Sequence, residues 1–174
     1  NELLDALPVH QVVMRPEGLR EVYVTSTSTS TSTSTSTSTP PALTTCEAPP
    51  STPALAEYLD RRGVTLEPGW RAEINLRALD WLREVAHRLT RGFIIVIDYG
   101  HDARELYSGG HSQGTLTTFA RHAAGGPTPR GTTPSWLERP GEQDITAHVD
   151  FTSIRAAAEE NGLTTLGFLD QTYF

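Results

Sequence analysis

Phe93-Ile94-Ile95-Val96-Ile97-Asp98-Tyr99-Gly100-His101 is an unbroken apolar run that ends in a carboxylate, a phenol, a glycine and an imidazole. A run apolar at every position predicts a strand covered on both faces, which is the habit of parallel sheets in α/β proteins. In open sheets of that kind, ligands bind beyond the carboxyl ends of the strands, where loops and helix N-termini converge. Asp98 and Tyr99 therefore stand where chemistry would be placed. The same residues also read as a helix cap, with Gly100 permitting a turn.

Working upstream, Gly92 stops a helix whose apolar positions Leu79, Leu82, Val85, Ala86 and Leu89 recur at helical spacing, with Asn75 as its N-cap. Arg71 to Ile74 reads as a brief strand before it. Strand, helix and strand in this order predict a crossover unit of a parallel sheet. Downstream, the Gly109-Gly110 and Gly125-Gly126 pairs and four prolines mark a long irregular region. A helix is predicted from about Ser153 to Asn161, with Thr152 or Asp150 as cap and Gly162 as stop. Leu163 to Phe168 and Tyr173-Phe174 suggest a last strand pair.

The chain opens in Asn1-Glu2-Leu3-Leu4-Asp5-Ala6-Leu7, which reads as the loop and short helix after a strand, so the sequence is expected to be the later part of a larger domain. Val9 to Met14 and Leu19 to Val24, joined by Pro16-Glu17-Gly18, predict a hairpin. Residues 1–24 are read as this motif plus the start of an inserted β arm. Residues 25–50 are read as a low-complexity Thr/Ser and Pro segment without order, because strict Thr-Ser alternation has no apolar face. Residues 51–174 are read as the C-terminal part of the main domain, with a short helix near Pro53 to Leu59.

Composition narrows the function. The hydrophobic share of 37% lies below the usual globular range of about 45–50%, much of the deficit falling in the Thr/Ser tract. A net charge of −7 without any basic run argues against nucleic acid and anionic membranes as partners. All 14 basic residues are arginine, which excludes a lysine Schiff base within this stretch. The single cysteine, Cys46, has no disulfide partner, and a cytoplasmic location is the default expectation.

Six histidines invite a metal reading, but none shows His-Glu-x-x-His spacing or a compact ligand cluster, so no metal is expected. The glycine-rich stretch 109–114 does not follow a strand and open a helix, which makes it a weak phosphate loop. Glu2 and Asp5 share a face of a helical turn, and Asp5 reads as a solvated residue of it. If the strand before Asn1 runs parallel to the Phe93 strand, then Asn1, Glu2, Asp98 and Tyr99 crowd one rim.

Four motifs in order now carry a resemblance: 1–10 (Asn-Glu-Leu-Leu-Asp-Ala-Leu-Pro-Val-His), 97–101 (Ile-Asp-Tyr-Gly-His), 114–119 (Gly-Thr-Leu-Thr-Thr-Phe) with His122, and 144–151 (Asp-Ile-Thr-Ala-His-Val-Asp-Phe). The chain resembles the later half of the MidA-like S-adenosyl-L-methionine (SAM)-dependent methyltransferases, a family that includes an arginine methyltransferase of mitochondrial complex I assembly. The resemblance implies an α/β fold, the later half of a Rossmann-like class I sheet with an inserted β-rich arm. It implies SAM as cofactor, with the main binding loop upstream of Asn1, and a protein arginine side chain as acceptor. Glu2 and Asp98 would hold the guanidinium, His101 would accept a proton, and Asn1, Tyr99 and Gly100 would line the cofactor pocket, while His148 and Asp150 order the loop. The alternative is a noncatalytic partner-binding or assembly protein on a degraded methyltransferase scaffold.

Overall fold

The computed structural model describes residues 3–27, 42–120, 123–125 and 133–173. The predicted hairpin is present as β1 (His10–Arg15) and β2 (Gly18–Thr27), antiparallel from Gln11↔Val22 to Arg15↔Gly18. Its turn depends on Gly18, whose φ of 122° disfavours any residue with a Cβ. β3 (Ala42–Ala48) pairs with β2, and β4 (Arg71–Ile74) pairs with β1, both antiparallel, giving the order β3-β2-β1-β4.

This sheet corrects two expectations. Thr25 to Thr27 and Ala42 to Ala48, placed by sequence in an unordered segment, form a ladder running to Thr27↔Ala42. Backbone pairing with a neighbour stabilises threonine-rich chain irrespective of an apolar face; the rest of the Thr/Ser tract lies outside the described residues. β4 belongs to this antiparallel arm rather than to a parallel crossover, because its partner is β1.

Two helices share a core with residues of this sheet. α1 (Ala54–Arg61) buries Leu55, Tyr58 and Leu59, and Gly63 ends it at a φ of 61°. α2 (Leu76–Arg88) starts as predicted at Asn75, whose side-chain oxygen accepts from the Ala78 N–H at 2.8 Å. Its apolar stripe Ala78, Leu79, Leu82 and Ala86 joins Leu4, Val12, Leu55, Ile74, Val149 and Ile154 in the core.

Residues 93–98 depart most from expectation. They are extended but belong to no strand among the described residues, and Phe93 and Ile95 are 79% and 71% exposed, whereas Ile94 and Val96 pack against the core. An apolar run permits burial on both faces; here one face is covered, so a period of two emerges from a sequence that has none. The ladder begins only at its end, where the Val149 N–H donates to the Tyr99 carbonyl at 2.8 Å. β5 (Gly100–His101) then pairs in parallel with β9 (Val149–Asp150), followed by α3 (Ala103–Leu106) and α4 (Phe151–Glu160) respectively.

A small antiparallel sheet, β7-β6-β8, is made by β6 (Thr117–Ala120), β7 (Ala123–Gly125) and β8 (Asp144–Thr146). The last expected strand pair is absent from the described residues. Residues 163–169 are tied down instead by rings, with Phe168 at 5.2 Å from Phe151 and the Arg155 guanidinium 5.0 Å from the Phe168 ring.

Candidate functional site

The two parallel strands converge on one rim, and each delivers a carboxylate that caps the helix after it. Asp102 Oδ1 accepts from the Glu105 N–H at 3.0 Å, and Asp150 Oδ1 accepts from the Thr152 and Ser153 N–H groups at 2.9 and 3.1 Å. The Thr152 hydroxyl accepts from the Ala103 N–H at 2.9 Å, which locks the two helix starts together. Below them, Tyr58 donates to Asp150 Oδ2 at 2.7 Å and Ser153 donates to the same oxygen. Burial, reinforced by the Asp150 charge, pushes the Tyr58 phenol well up, so it serves as a fixed donor.

The loop of residues 3–7 is pinned to this rim at three points. The Leu4 N–H donates to Asp98 Oδ2 at 2.7 Å, Asn75 Nδ2 donates to the Leu4 carbonyl at 2.8 Å, and the Ala147 N–H donates to the Asp5 carbonyl at 2.9 Å. These bonds bury Leu4 completely and form a turn rather than the helix expected. They also correct the reading of Asp5, which is 6% exposed rather than solvated, because it follows Leu4 into the core.

Among the sequence-predicted site residues, Asn1 and Glu2 lie outside the described residues. Asp98 stands where the loop meets the apolar run, its second oxygen accepting from the Tyr99 N–H at 2.9 Å. Tyr99 is 58% exposed, with its ring open for contact. Gly100 is explained by its neighbour: a Cβ there would meet the Val149 carbonyl oxygen at 2.1 Å. That contact accounts for the glycine by backbone packing.

His101 introduces a group that sequence spacing did not show. Its ring centroid lies 4.9 Å from His111 and 5.1 Å from His148, and one nitrogen from each ring falls within 4.8 Å of the other two. The three come from β5, from the turn after α3 and from the loop between β8 and β9, so only the fold unites them. Burial, then the neighbouring His101 and His111, pushes the His148 imidazole below its usual range.

Beside this cluster, Glu73 of β4 is buried and accepts from Gln11 Nε2 at 2.8 Å and from the Thr115 N–H at 2.7 Å. Burial pushes its carboxyl upward against these bonds. A cleft of about 320 Å³ between α1, α2 and α4 is a weaker candidate. Its arginines are already committed, Arg61 to Glu57, Arg83 to Asp80 and Arg62 to the Ser153 hydroxyl.

SAM needs a backbone cradle and a carboxylate for the ribose hydroxyls. Among the described rim residues, each Asp98 oxygen accepts one backbone N–H, Gly100 is closed off by Val149, and the Tyr99 ring is open. The described part of the rim therefore shows no cradle for the nucleoside of the cofactor.

A family model described as "Putative S-adenosyl-L-methionine-dependent methyltransferase" matches residues 1–169. The protein arginine methyltransferase NDUFAF7, mitochondrial, of Rattus norvegicus is 30% identical over 176 residues, covering 100% of this chain and 33% of that protein. The Homo sapiens protein of the same name gives the same identity and coverage, 30%, 100% and 33%. The chain thus spans about a third of the length of these relatives. A crystal structure of a COG1565 superfamily member from Burkholderia thailandensis bound to S-adenosyl-homocysteine is 31% identical, with a TM-score of 0.74 over 93% of this chain and 36% of that one. This likeness shows a methyltransferase-like α/β fold.

Proposed function

The chain belongs to this family of SAM-dependent methyltransferases, and on that premise we propose that it supplies the acceptor side of a protein arginine methyltransferase. The observation that carries the reading is Asp98, which joins the Leu4 loop to the end of the apolar run beside the β5–β9 pair. Each of its oxygens accepts one backbone bond, and a carboxylate offers about four lone-pair sites, so a side remains for a bidentate partner.

SAM supplies an electrophilic methyl group. In this proposal the residues of the chain hold and orient the nucleophile: Glu2 and Asp98 clamp a guanidinium, Tyr99 and Asn1 line the cofactor edge, and His101 offers a ring nitrogen for the departing proton, while Gly100, closed off by Val149, keeps the β5–β9 pair close. Such a reaction gains chiefly from alignment and exclusion of water. Arginine as acceptor is supported by the names of the relatives at 30% identity, and a carboxylate such as Asp98 suits a planar guanidinium. A cytoplasmic location, read from the lone Cys46, is part of the same proposal.

One observation favours the noncatalytic alternative, namely that both Asp98 oxygens already have structural partners. Incubating the full-length protein with labelled SAM and cell extract, then sequencing labelled peptides, separates the readings. Label on arginine supports the proposal; no transfer supports a scaffold, and label on RNA or small molecules removes the arginine acceptor.

A further inference from the structure

We propose that His101, His111 and His148 form a binding site for one divalent transition-metal ion of the zinc class. Three imidazoles are a ligand set that suits zinc and its neighbours, and three protein ligands with an open fourth position are the pattern of reactive rather than purely structural sites. The ligand nitrogens lie within 4.8 Å of one another. A zinc ion about 2.0–2.1 Å from each would draw them to roughly 3.4 Å. The movement falls on small side-chain rotations, and His111 follows Gly109 and Gly110 in a short turn that can yield.

The second observation is the hydrogen bonding behind the rings. A metal-bound histidine commonly donates its other N–H to a carboxylate or a backbone carbonyl, which fixes the tautomer and aims the free nitrogen. Glu105 supplies both kinds of acceptor. Its carbonyl oxygen is hydrogen-bonded to His111 Nδ1 at 3.1 Å, and its carboxylate lies 3.2 Å from His101 Nδ1 as an ion-pair contact that small rotations turn into a bond. With Nδ1 as the donor, His111 Nε2 keeps its lone pair for a metal, and Glu105 favours the same tautomer in His101. His148 adds a buried Nδ1 without a hydrogen-bond partner among the described residues, and its backbone is fixed by the Thr115 hydroxyl 3.1 Å from its N–H. A buried imidazole nitrogen left without a partner costs free energy that a metal bond would recover.

Ligation uses the His101 lone pair that the methyl-transfer reading assigns to the departing proton, so His101 serves one role or the other. The site also ties the turn after α3 to the β8–β9 loop at the mouth of the rim. The metal proposal rests on the ring geometry and stands whether or not methyl transfer is the reaction.

Untagged full-length protein, stripped with chelator and dialysed, is titrated with zinc(II) and with cobalt(II), reading heat for the first and visible d–d absorption for the second. One equivalent should bind at about micromolar affinity or tighter, with the intense absorption of low-coordinate cobalt. His101→Ala or His148→Ala should weaken binding by about 100-fold, and the positioning change Glu105→Gln by about tenfold. Variants are compared only where their circular dichroism matches the parent. Two-bond ¹H–¹⁵N spectra of the unsubstituted protein provide the independent reading, in which zinc should move three histidine ring systems and leave His10 and His87 unmoved. Affinity weaker than about 100 μM, affinity unchanged in the variants, or unmoved ring nitrogens would overturn the site.

Discussion

Single residues show most clearly how side chains and backbone compete for space and hydrogen bonds in this chain. Glu21 on β2 is 4% exposed and lies 2.7 Å from His10 Nδ1, 2.8 Å from the Tyr23 hydroxyl and 2.6 Å from the Ser51 N–H. Burial raises its pKa, but these donors outweigh burial and hold it down at about 2. A depressed carboxylate contributes stability above its unfolded value of 4.5, and that stability is lost as pH falls toward about 2. Glu21→Gln should therefore cost about 2–3 kcal/mol at pH 7, with the gap closing as the pH is lowered through this window. Urea midpoints of the two proteins at several pH values check it; a gap independent of pH would mean that charge is not what Glu21 contributes. Gly100 tests space instead of charge. Gly100→Ala puts a methyl group 2.1 Å from the Val149 oxygen, and the β5–β9 pair should lose about 2–3 kcal/mol, read as a lowered melting temperature.

At the scale of elements, Asp150 decides how firmly α4 starts. Asp150→Ala removes two N-terminal cap bonds and leaves the buried Tyr58 and Ser153 hydroxyls without their acceptor. The expected loss is about 2–4 kcal/mol, with amide exchange in residues 151–154 accelerating more than in α2. The Asn75 cap was legible in the sequence, and the cap of α4 was narrowed to Thr152 or Asp150, because a cap is a local event. Asn75 and Asp150 sit next to apolar residues at helical spacing, and their oxygens reach N–H groups two or three residues on. The hairpin was legible for the same reason, since Pro16 to Gly18 and its flanking runs are contiguous. Pairing between distant segments was not. Nothing local in Arg71 to Ile74 distinguishes an antiparallel neighbour of β1 from a strand of a parallel sheet, and nothing in Phe93 to Ile97 says which faces are covered. The histidine cluster was illegible on the same grounds, as its members come from three separate loops and strands.

Across the whole molecule, apolar surface is spread unevenly. Phe93, Ile95, Ile97 and Tyr99 present one open face, and Leu166, Leu169 and Tyr173 present another, while no helix among the described residues is long and apolar enough to cross a membrane. With no nucleoside cradle among the described residues, the 174 residues by themselves should show no micromolar affinity for SAM in calorimetric titration. A micromolar dissociation constant would place the cofactor site within this stretch after all.

The account as a whole turns on Asp98 holding a cationic acceptor, and the direct measurement is methyl transfer from labelled SAM to protein arginine by the full-length protein, before and after Asp98→Asn. The amide keeps the shape but loses charge-assisted bonds worth roughly 1.5–3 kcal/mol, so kcat/KM for the acceptor should fall about 10- to 100-fold. SAM affinity should change less than about threefold, and the melting temperature should show the protein still folded. A rate unchanged by the substitution, in protein that still binds SAM, would contradict the assignment of Asp98 to the acceptor.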